Sequence, residues 1–198
     1  MAIVLDGTSG ATLPVPLAVA QGGTGSTTLT LTSPVIAGTP TGVGTLTSST
    51  AVASTSGTSI DFTGIPSWAK RITVMINVCT GTGTSVHLIQ LGSGSVQTTG
   101  YNADSVFTGF NAAASVYYTT GFGINNNTNR WPFTGSIQFT LMGSNLWVGS
   151  GSFCAGSINY AAITAGGVTL AGSLDRVRVT FFNGTDTFSA GSINIMYE

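Results

Sequence analysis

Nucleophilic catalysis needs a base beside its nucleophile, and this chain offers one histidine, His87, with two cysteines, Cys79 and Cys154. His87 lies in Val86-His87-Leu88-Ile89-Gln90-Leu91, a strand-like word whose alternation sends it to solvent. Cys79 and Cys154 each sit in an apolar run and read as buried free thiols acting as small hydrophobes, with a disulfide between them as the alternative. A metal site needs more ligands than these. Glycoside hydrolysis needs two carboxyl groups facing each other across a sugar. Here Asp6, Asp61, Asp104, Asp175, Asp186 and Glu198 are well spread and mostly beside turn residues. The glycine words Gly81-Thr82-Gly83-Thr84 and Gly92-Ser93-Gly94 lack the Gly-Lys-Ser/Thr ending of a phosphate loop and read as hairpin tips. The chain is therefore expected not to be an enzyme, and to carry no cofactor and no metal.

Binding has better material. Tyr101, Phe107, Phe110, Tyr117, Tyr118, Phe122, Trp131 and Phe133 are interleaved with Asn102, Asn111 and Asn125-Asn126-Asn127. Rings against C–H faces and amides against hydroxyls are what a saccharide site uses. The same rings equally suit a sandwich core or a subunit interface. Tyr101, Phe107, Phe110, Tyr117, Tyr118 and Trp131 are the candidate ligand or interface aromatics.

Charge is scarce. Only 6% of the 198 residues are charged, against roughly 25% in an ordinary soluble domain. Between Asp6 and Asp61 there is no Asp, Glu, Lys or Arg. Five Lys plus Arg and a net charge of -1 argue against nucleic-acid binding, which rests on clustered cations. Hydroxyls and small side chains must cover the surface instead, as suits rigid β-structure whose surface is largely taken up by neighbouring subunits. No run approaches the ~20 apolar residues of a membrane span, and Met1-Ala2-Ile3-Val4-Leu5 lacks the basic flank of a signal peptide. The expectation is a protein assembled inside a cell without export and without membrane insertion.

Two textures divide the chain. In residues 1–56, Pro14, Pro16, Pro34 and Pro40 are scattered among Gly, Thr and short apolar words, which forbids a helix and interrupts sheet ladders. This segment reads as an extended arm that lies on something else. Residues 57–198 read as a head of period-two strands: Ile72 to Val78, Val86 to Leu91, Ser136 to Leu141, Asn145 to Phe153, Arg176 to Phe182 and Ser192 to Tyr197. Asn183-Gly184 predicts a hairpin turn between the last two. The expected fold is all-β, an antiparallel β-sandwich of jelly-roll-like kind with an extended N-terminal arm. In it Ile60 and Phe62 alternate inward, Pro66 stops the strand, Trp68 plugs one end, and Lys70-Arg71 stay wet.

The stretch Gly57-Thr58-Ser59-Ile60-Asp61-Phe62-Thr63-Gly64-Ile65-Pro66-Ser67-Trp68-Ala69-Lys70-Arg71-Ile72-Thr73-Val74-Met75 resembles a segment of bacteriophage tail-fibre and related virion surface proteins. The ending from Gly184 to Glu198 is similar to that family's C-terminus, and Ala20-Gln21-Gly22-Gly23-Thr24-Gly25 is similar to phage-fibre linkers. The resemblance implies a non-enzymatic virion protein, a homotrimer with a β-sandwich head, acting as a short fibre or adhesin and contacting other virion proteins through residues 1–56. It also implies assembly in the host cytoplasm. The chain departs from long tail fibres in having no shaft repeat and no separate docking domain. Capsid decoration as a cement protein and a head-fibre role are the alternative placements. Of other classes, a lectin-like module binding host-surface glycan and a depolymerase assembled between subunits are the rivals.

Overall fold

The computed structural model describes residues 46–109, 112–125, 132–155 and 160–198. Its elements are β1 (Thr47–Ser48), β2 (Val52–Ala53), β3 (Ser59–Thr63), β4 (Arg71–Gly81), β5 (His87–Ser93), β6 (Ser95–Val96) and β7 (Tyr101–Gly109). They continue with β8 (Ala112–Tyr118), β9 (Phe122–Ile124), β10 (Phe133–Gly143), β11 (Leu146–Ala155), β12 (Tyr160–Thr169), β13 (Arg176–Phe181) and β14 (Phe188–Tyr197). The larger sheet runs β1, β14, β4, β10, β11, β12, β7, β8, with β2 also on β14. The smaller runs β3, β13, β5, β6, with β9 also on β5. All pairings are antiparallel, there is no helix among the described residues, and the fold is the all-β sandwich that the alternation implies.

Strand formation follows from period-two burial. In β4 the inward residues Ile72, Val74 and Ile76 are fully or almost fully buried, while Arg71, Thr73 and Met75 between them are not. Ile60 and Phe62 face inward from β3, as expected, and Lys70 and Arg71 are exposed. Tight turns carry the adjacent pairings. Ser144 and Asn145 both have positive φ, at 47° and 61°, and close the two-residue connection of β10 to β11. Gly92-Ser93-Gly94 is the expected hairpin tip, with Ser93 opposite Ser95.

Two expected hairpins are crossovers instead. Gly81-Thr82-Gly83-Thr84 leads from β4 in the larger sheet to β5 in the smaller, and Asn183-Gly184 leads from β13 back to β14. The turn at Gly184 is real, with φ of +69° and its N–H donating to the Phe181 carbonyl at 2.9 Å. The chain between β13 and β14 is too long for a two-residue hairpin, and it is pinned to the other crossover. The Thr82 N–H donates to the Thr187 carbonyl at 2.9 Å, and the Asn183 N–H to Ser85 Oγ at 2.9 Å. The Ser85 N–H and Asn183 Nδ2 both donate to the Asp186 carboxylate at 2.8 Å. These bonds hold the Asp186 carboxyl below its usual range, the Asn183 side chain most of all.

One irregularity sets the phase of the central strand. In β4 two residues stand opposite one on each neighbour: Ile76 and Cys79 face Gly135 and Phe133 of β10, and Asn77 and Thr80 face Ser192 and Ala190 of β14. The bulged Val78 takes φ of +53°, an uncommon state for a β-branched residue. Its N–H is satisfied by Thr134 Oγ1 at 3.0 Å. Gly191 lies against this bulge with φ of +101°, and a Cβ there would come 2.5 Å from the Val78 carbonyl oxygen. The extra residue shifts the alternation, so Cys79 points inward where an unbroken strand would have sent Val78.

The division at residue 56 needs revision at its end. β1 and β2 pair with β14, Ser54 is fully buried, and they belong to the same compact unit as the strands that follow. Ser54 donates from its N–H to the Gly191 carbonyl at 2.9 Å and from Oγ to the Ala190 carbonyl at 2.8 Å. The remaining residues of the expected arm lie outside the described residues. On the sequence reading of a proline- and glycine-rich arm with no core of its own, deleting residues 1–45 is expected to leave the melting temperature nearly unchanged. Deleting 1–56 also removes β1, β2 and the buried Ser54, at about 2–4 kcal/mol for several hydrogen bonds of roughly 0.5–1.5 kcal/mol each and the edge packing they hold. Chemical denaturation of the two truncated proteins checks this; equal stabilities would detach residues 46–56 from the fold.

Candidate functional site

The cysteine and histidine that could have made a nucleophile and base do meet, but in the core. Cys79 Sγ lies 3.6 Å from His87 Nε2, and both side chains are fully buried. The expectation of a solvent-facing His87 is thus wrong by one residue of phase. His87, Ile89 and Leu91 face the larger sheet, and Leu88 and Gln90 face outward under the segments around Thr98 and Thr120. Rings of Phe133, Phe181 and Phe188 surround the imidazole at centroid distances of 5.6, 4.7 and 6.2 Å.

Burial decides the protonation of this pair. It lowers the His87 pKa to about 4 and raises the Cys79 thiol to about 11, the latter opposed by Ser54. A neutral thiol beside a neutral imidazole, with His87 Nδ1 unpartnered, has neither a thiolate nor a path to substrate. Cys79 is the buried free thiol expected. Cys154 is free but exposed, because Phe153 and Ala155 take the inward positions of β11.

The described acids are largely occupied. Asp61 holds Arg178 in a two-pronged pair at 2.7 Å on each prong, Asp175 holds Arg176 at 2.8 Å, and Glu198 holds Arg71 at 2.6 Å. Asp186 pins the crossovers, and Asp104 stands exposed on β7. Asp61 and Asp175 come near enough that both raise the Arg176 pKa, Asp175 most of all, but each is engaged by its own arginine, and no group of three or more metal-ligating side chains occurs among the described residues.

The candidate aromatics among the described residues do not form one site. Tyr101 is buried, accepts the Leu91 N–H at 2.8 Å and donates to the Gln97 carbonyl at 3.0 Å. Phe107 is buried and stacks on Tyr160 at 5.2 Å. Tyr118 is buried, packs edge-on against Phe182 at 5.9 Å, and has its phenol pushed up to about 12 by burial. Tyr117, pointing the other way, is 57% exposed. Phe110 and Trp131 lie outside the described residues.

Trp68 is not the end plug. It is 48% exposed and leans on Tyr197 at 5.7 Å. A turn in which the Ala69 N–H donates to the Pro66 carbonyl at 3.0 Å swings it outward, leaving Ile65 and Ala69 buried. The buried tryptophan is Trp147 of β11, 2% exposed, beside Ala69, Leu141 and Leu174.

What the structure does assemble is a broad face. The outward residues of the larger sheet fall into cross-strand rows. One is Asn194, Met75, Ser136, Ser152, Ile163, Val106, Ser115; the next is Met196, Thr73, Gln138, Ser150, Ala165, Asp104, Tyr117. Asp104 is the one charged member of these fourteen positions. Ile163 (58% exposed) and Val106 stand directly opposite each other, with Tyr117 on the diagonal, in an apolar patch at the β8 end.

The chain has no match among protein-family models, curated proteins or solved structures. The outward face of the larger sheet is made of hydroxyls, amides and small residues with one apolar patch. It can be covered by another protein surface at little desolvation cost, since almost no charge must be stripped of water. Sequence reasoning missed this face because its residues are scattered along seven strands, and the cross-strand register alone brings them together.

The buried imidazole makes stability depend on pH. The folded pKa is depressed, so below the unfolded value of about 6.5 the unfolded chain binds a proton that the folded one refuses. Stability is full above that value and falls as pH drops toward about 4, losing on the order of 3 kcal/mol in all. His87 is the chain's one histidine, so no other imidazole contributes to this window. Urea denaturation from pH 7 to 4 is expected to show the decline in the parent protein and a flatter profile in His87→Phe. Parallel profiles would move the titration elsewhere.

Proposed function

We propose that this chain is a non-enzymatic structural protein of a bacteriophage virion: a surface-exposed, trimeric accessory of the fibre or adhesin kind, anchored to other virion proteins by its N-terminal arm. The observation that carries the reading is the outward face of the larger sheet, with one charge in fourteen central positions and the Ile163, Val106 and Tyr117 patch at one end. A monomer with so little charge has little repulsion to keep copies apart. Copies that associate through this face bury apolar area and need desolvate few ions. The resemblance of residues 57–75 and 184–198 to virion surface proteins supplies the particle. The paired or isolated carboxylates and the deeply buried Cys79–His87 pair favour architecture over catalysis.

Native mass spectrometry of the full chain at micromolar concentration is expected to show a trimer. Ile163→Asp and Val106→Asp, both at exposed positions, are expected to shift it to monomer while keeping the parent melting temperature. A monomeric parent, or trimers unaffected by both substitutions, would contradict the proposal. Removing residues 1–45 is expected to keep the trimer but abolish incorporation into particles.

A further inference from the structure

The smaller sheet has an outer face of different character. Its floor is Thr180 beside Leu88 and Arg178 beside Gln90, on the paired strands β13 and β5. Thr98, Thr120 and Phe182 join it in lining a groove of about 350 Å³. That is at the small end of the roughly 300–1,000 Å³ of small-molecule sites.

The polar groups are fixed, and part of their capacity is unused. Gln90 is buried, and its Nε2 donates to the Thr120 carbonyl at 2.8 Å, which orients the carboxamide and leaves Oε1 without a partner among the described residues. Arg178 uses Nε and Nη2 on Asp61, leaving Nη1 without an acceptor among the described residues while its charge is neutralised. Thr180 Oγ1 is held by donation to the Thr58 carbonyl at 2.7 Å and keeps acceptor capacity. Phe182 is 56% exposed, yet it is not loose. Its N–H donates to the Val86 carbonyl at 2.9 Å and the buried Tyr118 ring packs edge-on against it.

We infer that this groove is a binding site for a neutral saccharide unit, with Phe182 stacking against the C–H face of a pyranose and Gln90, Arg178 and Thr180 meeting its hydroxyls. The chemistry selects this class. A ligand with both an apolar face and several hydroxyls matches one rigid exposed ring beside oriented amide, guanidinium and hydroxyl groups. An anionic ligand is disfavoured because Asp61 already cancels the Arg178 charge. None of the residues lining the groove carries a carboxyl group, and Asp61 and Asp175 are each engaged by an arginine, so the groove binds a sugar without cleaving it. It involves none of the face residues through which copies are proposed to associate, so it stands whether or not the protein is trimeric or virion-borne.

The test is a titration of the full isotope-labelled chain with the methyl glycosides of glucose, galactose, mannose and N-acetylglucosamine, and with sialic acid, read by amide chemical shifts. At least one neutral glycoside is expected to shift the amides of Gln90, Thr180 and Phe182. Phe182→Ala is expected to weaken it about tenfold or more without changing the fold. Arg178→Lys, which keeps the charge but loses the fork, is expected to weaken it as well. No shift at these amides with any neutral glycoside, preferential binding of sialic acid, or full affinity in Phe182→Ala would each overturn the inference. Ile163→Asp separates it from the assembly reading, since that variant is expected to bind sugar as the parent does.

Discussion

The sandwich depends on aromatic contacts made from one sheet to the other. Phe122 of β9 meets Phe139 of β10 at 4.9 Å and Tyr101 of β7 at 5.6 Å, and Phe181 of β13 meets Phe188 of β14 at 4.7 Å. Large rings of this kind carry much of the apolar area removed from water. They also determine what else the interior can hold. His87 is enclosed by three phenylalanines, and the bulge at Val78 brings Cys79 inward to meet it. The two crossovers at this end must then leave the core together, and the Asp186, Asn183 and Ser85 network satisfies their backbone outside it.

Because the core takes the rings, the two outer faces differ in what remains. The larger sheet presents hydroxyls, amides and small residues with one apolar patch, a surface whose least costly fate is contact with protein. The smaller sheet presents its ion pairs, Asp61 with Arg178 and Asp175 with Arg176, and one fixed phenylalanine above a hydroxyl-lined floor. Surface ion pairs contribute little to stability. Here the Asp61–Arg178 pair cancels a charge and orients a donor. The proposed assembly on one face and the proposed recognition on the other would together suit the surface protein of a particle proposed above.

Alternation made the strands around Ile72, Ile137, Val177 and Ile193 legible in the sequence, and with them the fold class. It did not reveal which sheet each strand joins, so Asn183-Gly184 and Gly81-Thr84 read as hairpins when they are crossovers. β12, with Ala161, Ala165, Gly166 and Gly167, has too little hydrophobic contrast to register as a strand. β7 alternates well, but its aromatic and amide content equally suits a binding loop. His87 was placed outside because a polar residue in an alternating word normally faces water; a histidine held neutral by burial breaks that rule. Trp68, expected to plug one end, is swung out by the turn at Pro66 to Ala69, which alternation does not reveal, and Trp147 is buried instead.

The outward face of the larger sheet carries its own probe. Cys154 is exposed on β11, opposite Thr134 and Ala161, while Cys79 is fully buried and held as a neutral thiol. The rate at which a maleimide labels Cys154, followed from nanomolar to high micromolar protein, reports directly on whether another copy covers this face. The account predicts rapid labelling at the lowest concentrations and strong protection as the protein associates, with Ile163→Asp labelled rapidly throughout. A labelling rate that is rapid and independent of concentration in the parent protein would contradict it.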